Sequence, residues 1–104
     1  VKDLGSILEN IIFLELKRRN YDINIGKYED SEVDFVVKKN DGLKYIQVSL
    51  SVRDEKTLER ELTPLKEIHD NYPKYIITLD YECVDYEGIK QISAIDFLLG
   101  RINL

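Results

Sequence analysis

Apolar residues recur at helical spacing from Leu4 to about Arg19: Leu4, Ile7, Leu8, Ile11, Ile12 and Leu14 follow an i, i+3, i+4, i+7 pattern. Lys17, Arg18 and Arg19 crowd the last turn, where the helix dipole favours cations. The pattern then changes to period two. Tyr21, Ile23 and Ile25 alternate with polar residues, Glu32 to Lys38 alternates again, and Leu43 to about Ser51 is rich in β-branched and aromatic residues, so three strands are expected. Asn40-Asp41-Gly42 tolerates positive φ and predicts a hairpin between the second and third. A helix capped by Asp54 runs to about Ile68, with Leu58, Leu62, Leu65 and Ile68 on one stripe and a kink expected at Pro64. The run Tyr75 to Leu79 is apolar on both faces, as a central strand parallel to its neighbour would be. A short strand at Gly88 to Ile92 and a last helix, capped by Ser93 and closed at Gly100, complete an αβββαββα order. The expected fold is an α/β sandwich about a mixed sheet flanked by helices.

Length confines this pattern to one domain over residues 1–104, with roughly two-thirds of the unfolded surface buried. Hydrophobic residues make up 43% and charged residues 34%, which excludes a disordered tail. The longest apolar run is Ile11 to Leu14, too short for a membrane span, and a soluble, cytoplasmic protein is expected. The lone Cys83 permits neither an internal disulfide nor a thiolate metal site. There is no Met, even at position 1, which suggests a piece of a longer polypeptide. The net charge of −5 gives no overall footprint for polyanions, so nucleic-acid binding would need a local basic stripe.

Several residues depart from a plain core-and-surface pattern. Glu9 sits among Gly5, Ile12, Phe13 and Leu16 on its own helical stripe, either as a half-exposed carboxylate bonded to a strand or as part of a site. Alternation puts Asp34 with Val36 on one strand face, and Tyr45, Gln47, Ser49 and Ser51 on one face of the next. A two-residue turn at Asp41-Gly42 would set Asp34 opposite Ser49, whereas a four-residue loop from Lys39 would set it opposite Gln47. A three-residue loop would scramble the faces. If the first helix packs on that polar face, Glu9, Asp34 and Gln47 make an all-oxygen site that Mg²⁺ accepts; otherwise the face is simply open to water. His69 is read as a helix-end group, and Asp54 to Glu61 as a solvated helix face from which Arg60 could reach toward a pocket or DNA.

The segments Gly5-Ser6-Ile7-Leu8-Glu9-Asn10, Glu32-Val33-Asp34-Phe35-Val36 and Tyr45-Ile46-Gln47-Val48-Ser49 resemble the signatures of the restriction-endonuclease-like PD-(D/E)XK superfamily. More narrowly they resemble the version at the C-terminus of bacterial and archaeal AAA-type ATPases, a domain of unknown function. Asp54 to Glu61, Asp70 to Tyr75 and Phe97 to Gly100 extend the resemblance over nearly the whole chain. It implies a restriction-endonuclease-like αβββαβ core. Its metal acids fall on Glu9 and Asp34 and its third ligand on Gln47, with Mg²⁺ or Mn²⁺ as the implied ion. Gln47 stands where active members carry an acid, and Ser49 stands where they carry the catalytic lysine, a cation that a hydroxyl cannot replace. Lys38 is the nearest lysine on the Asp34 face. The resemblance implies a C-terminal accessory domain with a degenerate metal pocket and weak or absent DNA cleavage. Its alternatives are an active Mg²⁺-dependent endonuclease and a protein-interaction or regulatory module. The implied partner is the ATPase region of a longer chain, whose phosphate-binding motif these residues lack; DNA is the other candidate, with Lys17, Arg18, Arg19 and Arg60 as the cations that could contact it.

Overall fold

The structure, a computed structural model, describes residues 3–25, 33–40 and 42–104. Its element order is α1 (Leu4–Arg18), β1 (Asp22–Ile25), β2 (Phe35–Lys39), β3 (Gly42–Val48), α2 (Glu55–Lys66), β4 (Lys74–Thr78), β5 (Asp85–Tyr86), β6 (Ile89–Ser93) and α3 (Ala94–Leu98). Six strands form one mixed sheet in the order β1-β2-β3-β4-β6-β5. The two pairings that join β1, β2 and β3 are antiparallel, as is β5–β6, and β3, β4 and β6 run parallel. This is the α/β fold, with its αβββαβ core, that the sequence leads one to expect. Helix α2 supplies the crossover that a parallel β3–β4 pair requires.

The caps fall where the sequence puts them. The Asp54 carboxylate accepts from the Thr57 N–H, and the Ser93 hydroxyl from the Asp96 N–H. Strand β5 was not expected. It forms a two-residue hairpin with β6, in which Glu87 and Gly88 both take positive φ, the left-handed twist that such a short turn demands. The β2–β3 register pairs Phe35 with Ile46 and Lys39 with Gly42, so Asp34 comes opposite Gln47 and not Ser49. Gly42 has φ +109°, and a Cβ there would stand 2.9 Å from Tyr72 Cε1, which explains why glycine ends this turn. Asp41 and the expected strand start at Glu32 lie outside the described residues.

Two apolar layers sandwich the sheet. On one side Leu8, Ile12 and Leu16 of α1 and Phe97 of α3 pack on Phe35, Val37, Ile46 and Val48. On the other, Leu62 and Leu65 of α2 pack on Val36, Tyr45 and Ile76. Three expectations change here. Helix α1 does not cover the polar face of Asp34 and Gln47; α2 does, because the side with more apolar strand residues takes the more apolar helix. Val33, which strict alternation through Asp34 and Val36 would set on the Phe35 face, joins the α2 layer because the chain bends at Asp34 before β2 begins. The apolar stripe of α1 is two stripes: Leu8, Ile12 and Leu16 are buried, while Leu4, Ile7, Ile11 and Leu14 are exposed. His69 lies beyond the end of α2, whose C-cap is Glu67, so it is no part of that helix end.

Candidate functional site

The end of the sheet where β2 begins and β3 finishes collects most of the singled-out residues. Asp34 and Gln47 face each other there and trade side-chain for backbone bonds. The Asp34 N–H donates to Gln47 Oε1 at 2.8 Å, and the Val48 N–H donates to Asp34 Oδ2 at 2.8 Å. The two side chains thereby continue the ladder one step past its last regular pair. Gln47 Nε2 donates in turn to the Glu61 carbonyl at 3.2 Å and ties β3 to α2. With only 4% of Gln47 exposed, its oxygen and nitrogen are both committed to the fold.

Glu61 itself is the residue that the sequence reading placed on a solvated face. It stands three residues after Leu58 and four before Leu65, on the apolar stripe of α2, and that spacing is the signal that identifies it. Its side chain is 15% exposed. Burial first, then the charges of Asp34 and Glu9, push its carboxyl up to about 7, against a smaller opposing pull from Arg60. Asp34 is raised by burial, partly offset by the Val48 N–H. Glu9, half-buried on the flank of α1, is raised by burial and then by Asp34 and Asp3. Glu9, Asp34 and Glu61 thus form one electrostatic group, reached from both faces at the end of the sheet.

The cations lie elsewhere. Lys38 is exposed at the hairpin end of β2, four residues and about 13 Å of extended chain from Asp34. Lys44 is buried and holds its ammonium 5.7 Å from the Tyr21 ring centre. The Ser49 hydroxyl donates to the Ser51 carbonyl at 3.0 Å and shapes the exit from β3. Arg18 is paired with Glu15 at 2.6 Å. Arg19 binds Glu15, the carbonyls of Phe97 and Ile102, and the face of the Phe97 ring. Together with Lys17 these arginines occupy the far end of α1 from Glu9. Among the described residues Arg60, 73% exposed at its side chain, comes within 3.8 Å of Glu61.

The acids by themselves do not make a cage for Mg²⁺ or Mn²⁺. Among the described residues no three His, Cys, Asp or Glu groups converge closely enough to hold an ion. Gln47 Oε1 already accepts the Asp34 N–H, which leaves one lone pair for an ion.

The acid group makes stability depend on pH. A carboxyl held at about 7 in the fold and near 4.3 when unfolded binds more protons in the folded state, so its contribution is complete below about pH 4.3 and lost as pH rises through 7. Glu61→Gln removes the repulsion and should stabilise the protein by about 1–2 kcal/mol at pH 8, after allowance for solvent screening, and by about nothing at pH 4.5. Urea unfolding of both proteins at the two pH values measures this, and an equal gain at both would contradict it.

No family model matches the chain. Over 93 residues it is 40% identical to an uncharacterized protein of Haemophilus influenzae, an alignment that takes in 88% of this chain and 22% of that protein. The chain therefore spans about a fifth of that relative's length. No helix of the described residues is long and apolar enough to cross a membrane.

Proposed function

We propose that this chain is a nuclease-fold accessory domain, of the kind attached to the C-terminus of AAA-type ATPases, with a degenerate metal pocket and weak or absent cleavage of DNA. The observation that carries this reading is the closed Asp34–Gln47 pair. The position where a nuclease needs an acid facing the ion holds an amide whose oxygen is taken by the Asp34 N–H and whose nitrogen is taken by Glu61. Among the described residues neither Ser49, bonded to Ser51, nor Lys38, at the other end of its strand, supplies the cation that would offset charge growing on a phosphate, and Arg60 lies 3.8 Å from Glu61 instead. A net charge of −5 adds repulsion toward the polyanion. Such a domain serves by docking, on the ATPase region or on a partner that region acts on.

The second reading, an active Mg²⁺-dependent endonuclease, is favoured by the charge of Asp34, which raises both Glu9 and Glu61, because repulsion of that kind is what a divalent cation relieves. Nicking of supercoiled plasmid and cleavage of single-stranded DNA, each with millimolar Mg²⁺ or Mn²⁺, decide between the two. Wild-type protein should cleave no faster than Asp34→Ala or Glu9→Gln, a deficit of about a hundredfold or more from the missing cation alone. Cleavage by wild type that both variants lose would establish the endonuclease and overturn the accessory reading.

A further inference from the structure

From the geometry of α1 we infer that this chain pairs with a second copy of itself, the two α1 helices packing antiparallel about a two-fold axis. The inference stands apart from the nuclease reading. Leu4, Ile7, Ile11 and Leu14 are exposed by 64, 38, 41 and 56%. At 100° per residue they fall within an arc of about 80°, centred about 120° from the stripe of Leu8, Ile12 and Leu16 that enters the core. Isolated exposed apolar residues are ordinary, but four in line at the 3-4-3 spacing of a helix-packing seam are not.

The occupant follows from symmetry. An isologous contact must be complementary to itself. The stripe reads Leu, Ile, Ile, Leu and its spacing is the same in both directions, so an antiparallel copy sets Leu4 against Leu14 and Ile7 against Ile11, twice over. Charge agrees with this direction. The first turn of α1 carries no acid beyond its cap Asp3, and the last turn carries Lys17 and Arg18. Antiparallel pairing brings each basic end beside the other copy's Asp3 and opposes the two helix dipoles, whereas parallel pairing puts like ends together. Glu9 projects from the side of α1 opposite the stripe, so the pair leaves the acid group uncovered.

The four residues present roughly 400 Å² per chain, and a symmetric pair would bury about 800 Å² from them, the size of a weak contact. The expected dimer is accordingly half-formed at about 100 µM.

Sedimentation equilibrium from about 10 to 500 µM should show a monomer–dimer equilibrium. Ile11→Lys and Leu14→Glu should each move its midpoint up tenfold or more while lowering the thermal midpoint of dilute protein by no more than about 5 °C, because Ile11 and Leu14 are 41 and 56% exposed in the monomer. Direction is read in a Cys83→Ser background. Ile7→Cys and Ile11→Cys proteins, mixed and oxidised, should give the mixed disulfide in excess over either like pair. A chain monomeric throughout, a dimer indifferent to both substitutions, or cross-linking of like with like would each overturn the proposal.

Discussion

Gln47→Glu is expected to cost about 3 kcal/mol of folding stability at pH 8 and about 1 kcal/mol at pH 5, although it restores the acid of an active nuclease. A carboxylate keeps the bond from the Asp34 N–H but loses the one to the Glu61 carbonyl, where oxygen would now meet oxygen. It also adds a negative charge at a site 4% exposed, next to two carboxyls that burial already raises, Glu61 further by the charge of Asp34. The new carboxyl holds its proton in the fold above its unfolded value of about 4.3. The penalty is therefore absent below that pH and grows as pH rises. Urea titrations at the two pH values measure it. An equal loss at both, or none at pH 8, would mean that Gln47 is not the closed clamp described. The same result bears on function: if the acid is tolerated only when protonated, the amide at this position suits a pocket that works without a metal.

Asp80→Ala should be comparably damaging, at about 3 kcal/mol, or a fall in thermal midpoint of roughly 12–20 °C for a domain of this size. Asp80 is 4% exposed and joins the chain leaving β3 to the chain leaving β4. Its Oδ2 accepts from the Val52 N–H at 2.9 Å and stands 3.5 Å from Gln91 Nε2, while Oδ1 lies 3.5 Å from Arg53 Nε. Arg53 is held in place by Glu82 at 2.8 Å and lies over the Tyr81 ring. Truncation orphans the buried Val52 N–H, whereas Asp80→Asn keeps an acceptor for it and should recover half of the loss or more. Hydrogen exchange at Val52 separates the cases, with fast exchange expected in the alanine variant and protection in the asparagine variant. Equal losses in the two would assign the effect to charge alone.

Periodicity and capping chemistry in the sequence determined the elements of this protein, because both are local. A 3.6-residue or two-residue repeat states which side chains share a face, and Asp54 or Ser93 can bond only the turn that follows it. The same logic paired Asp34 with the Gln47–Ser49 face, and left open only the register that the Lys39–Gly42 turn then settled. What the repeat cannot state is which partner covers a face. Helices α1 and α2 compete for the two sides of the sheet, and the outcome depends on the summed fit of Phe35, Ile46, Phe97 and others distant in sequence. Only the tertiary structure could therefore put α2, not α1, over Gln47, bring the Glu61 carbonyl to its amide, and turn an expected ligand into a clamp. Glu61 was half-legible, since it interrupts an apolar stripe as Glu9 does. Its charge coupling to Asp34 required the two to meet across α2 and β2. Tertiary packing also split the apolar positions of α1 into a buried stripe and an exposed one, because a helix resting on a sheet can bury only the arc that faces it.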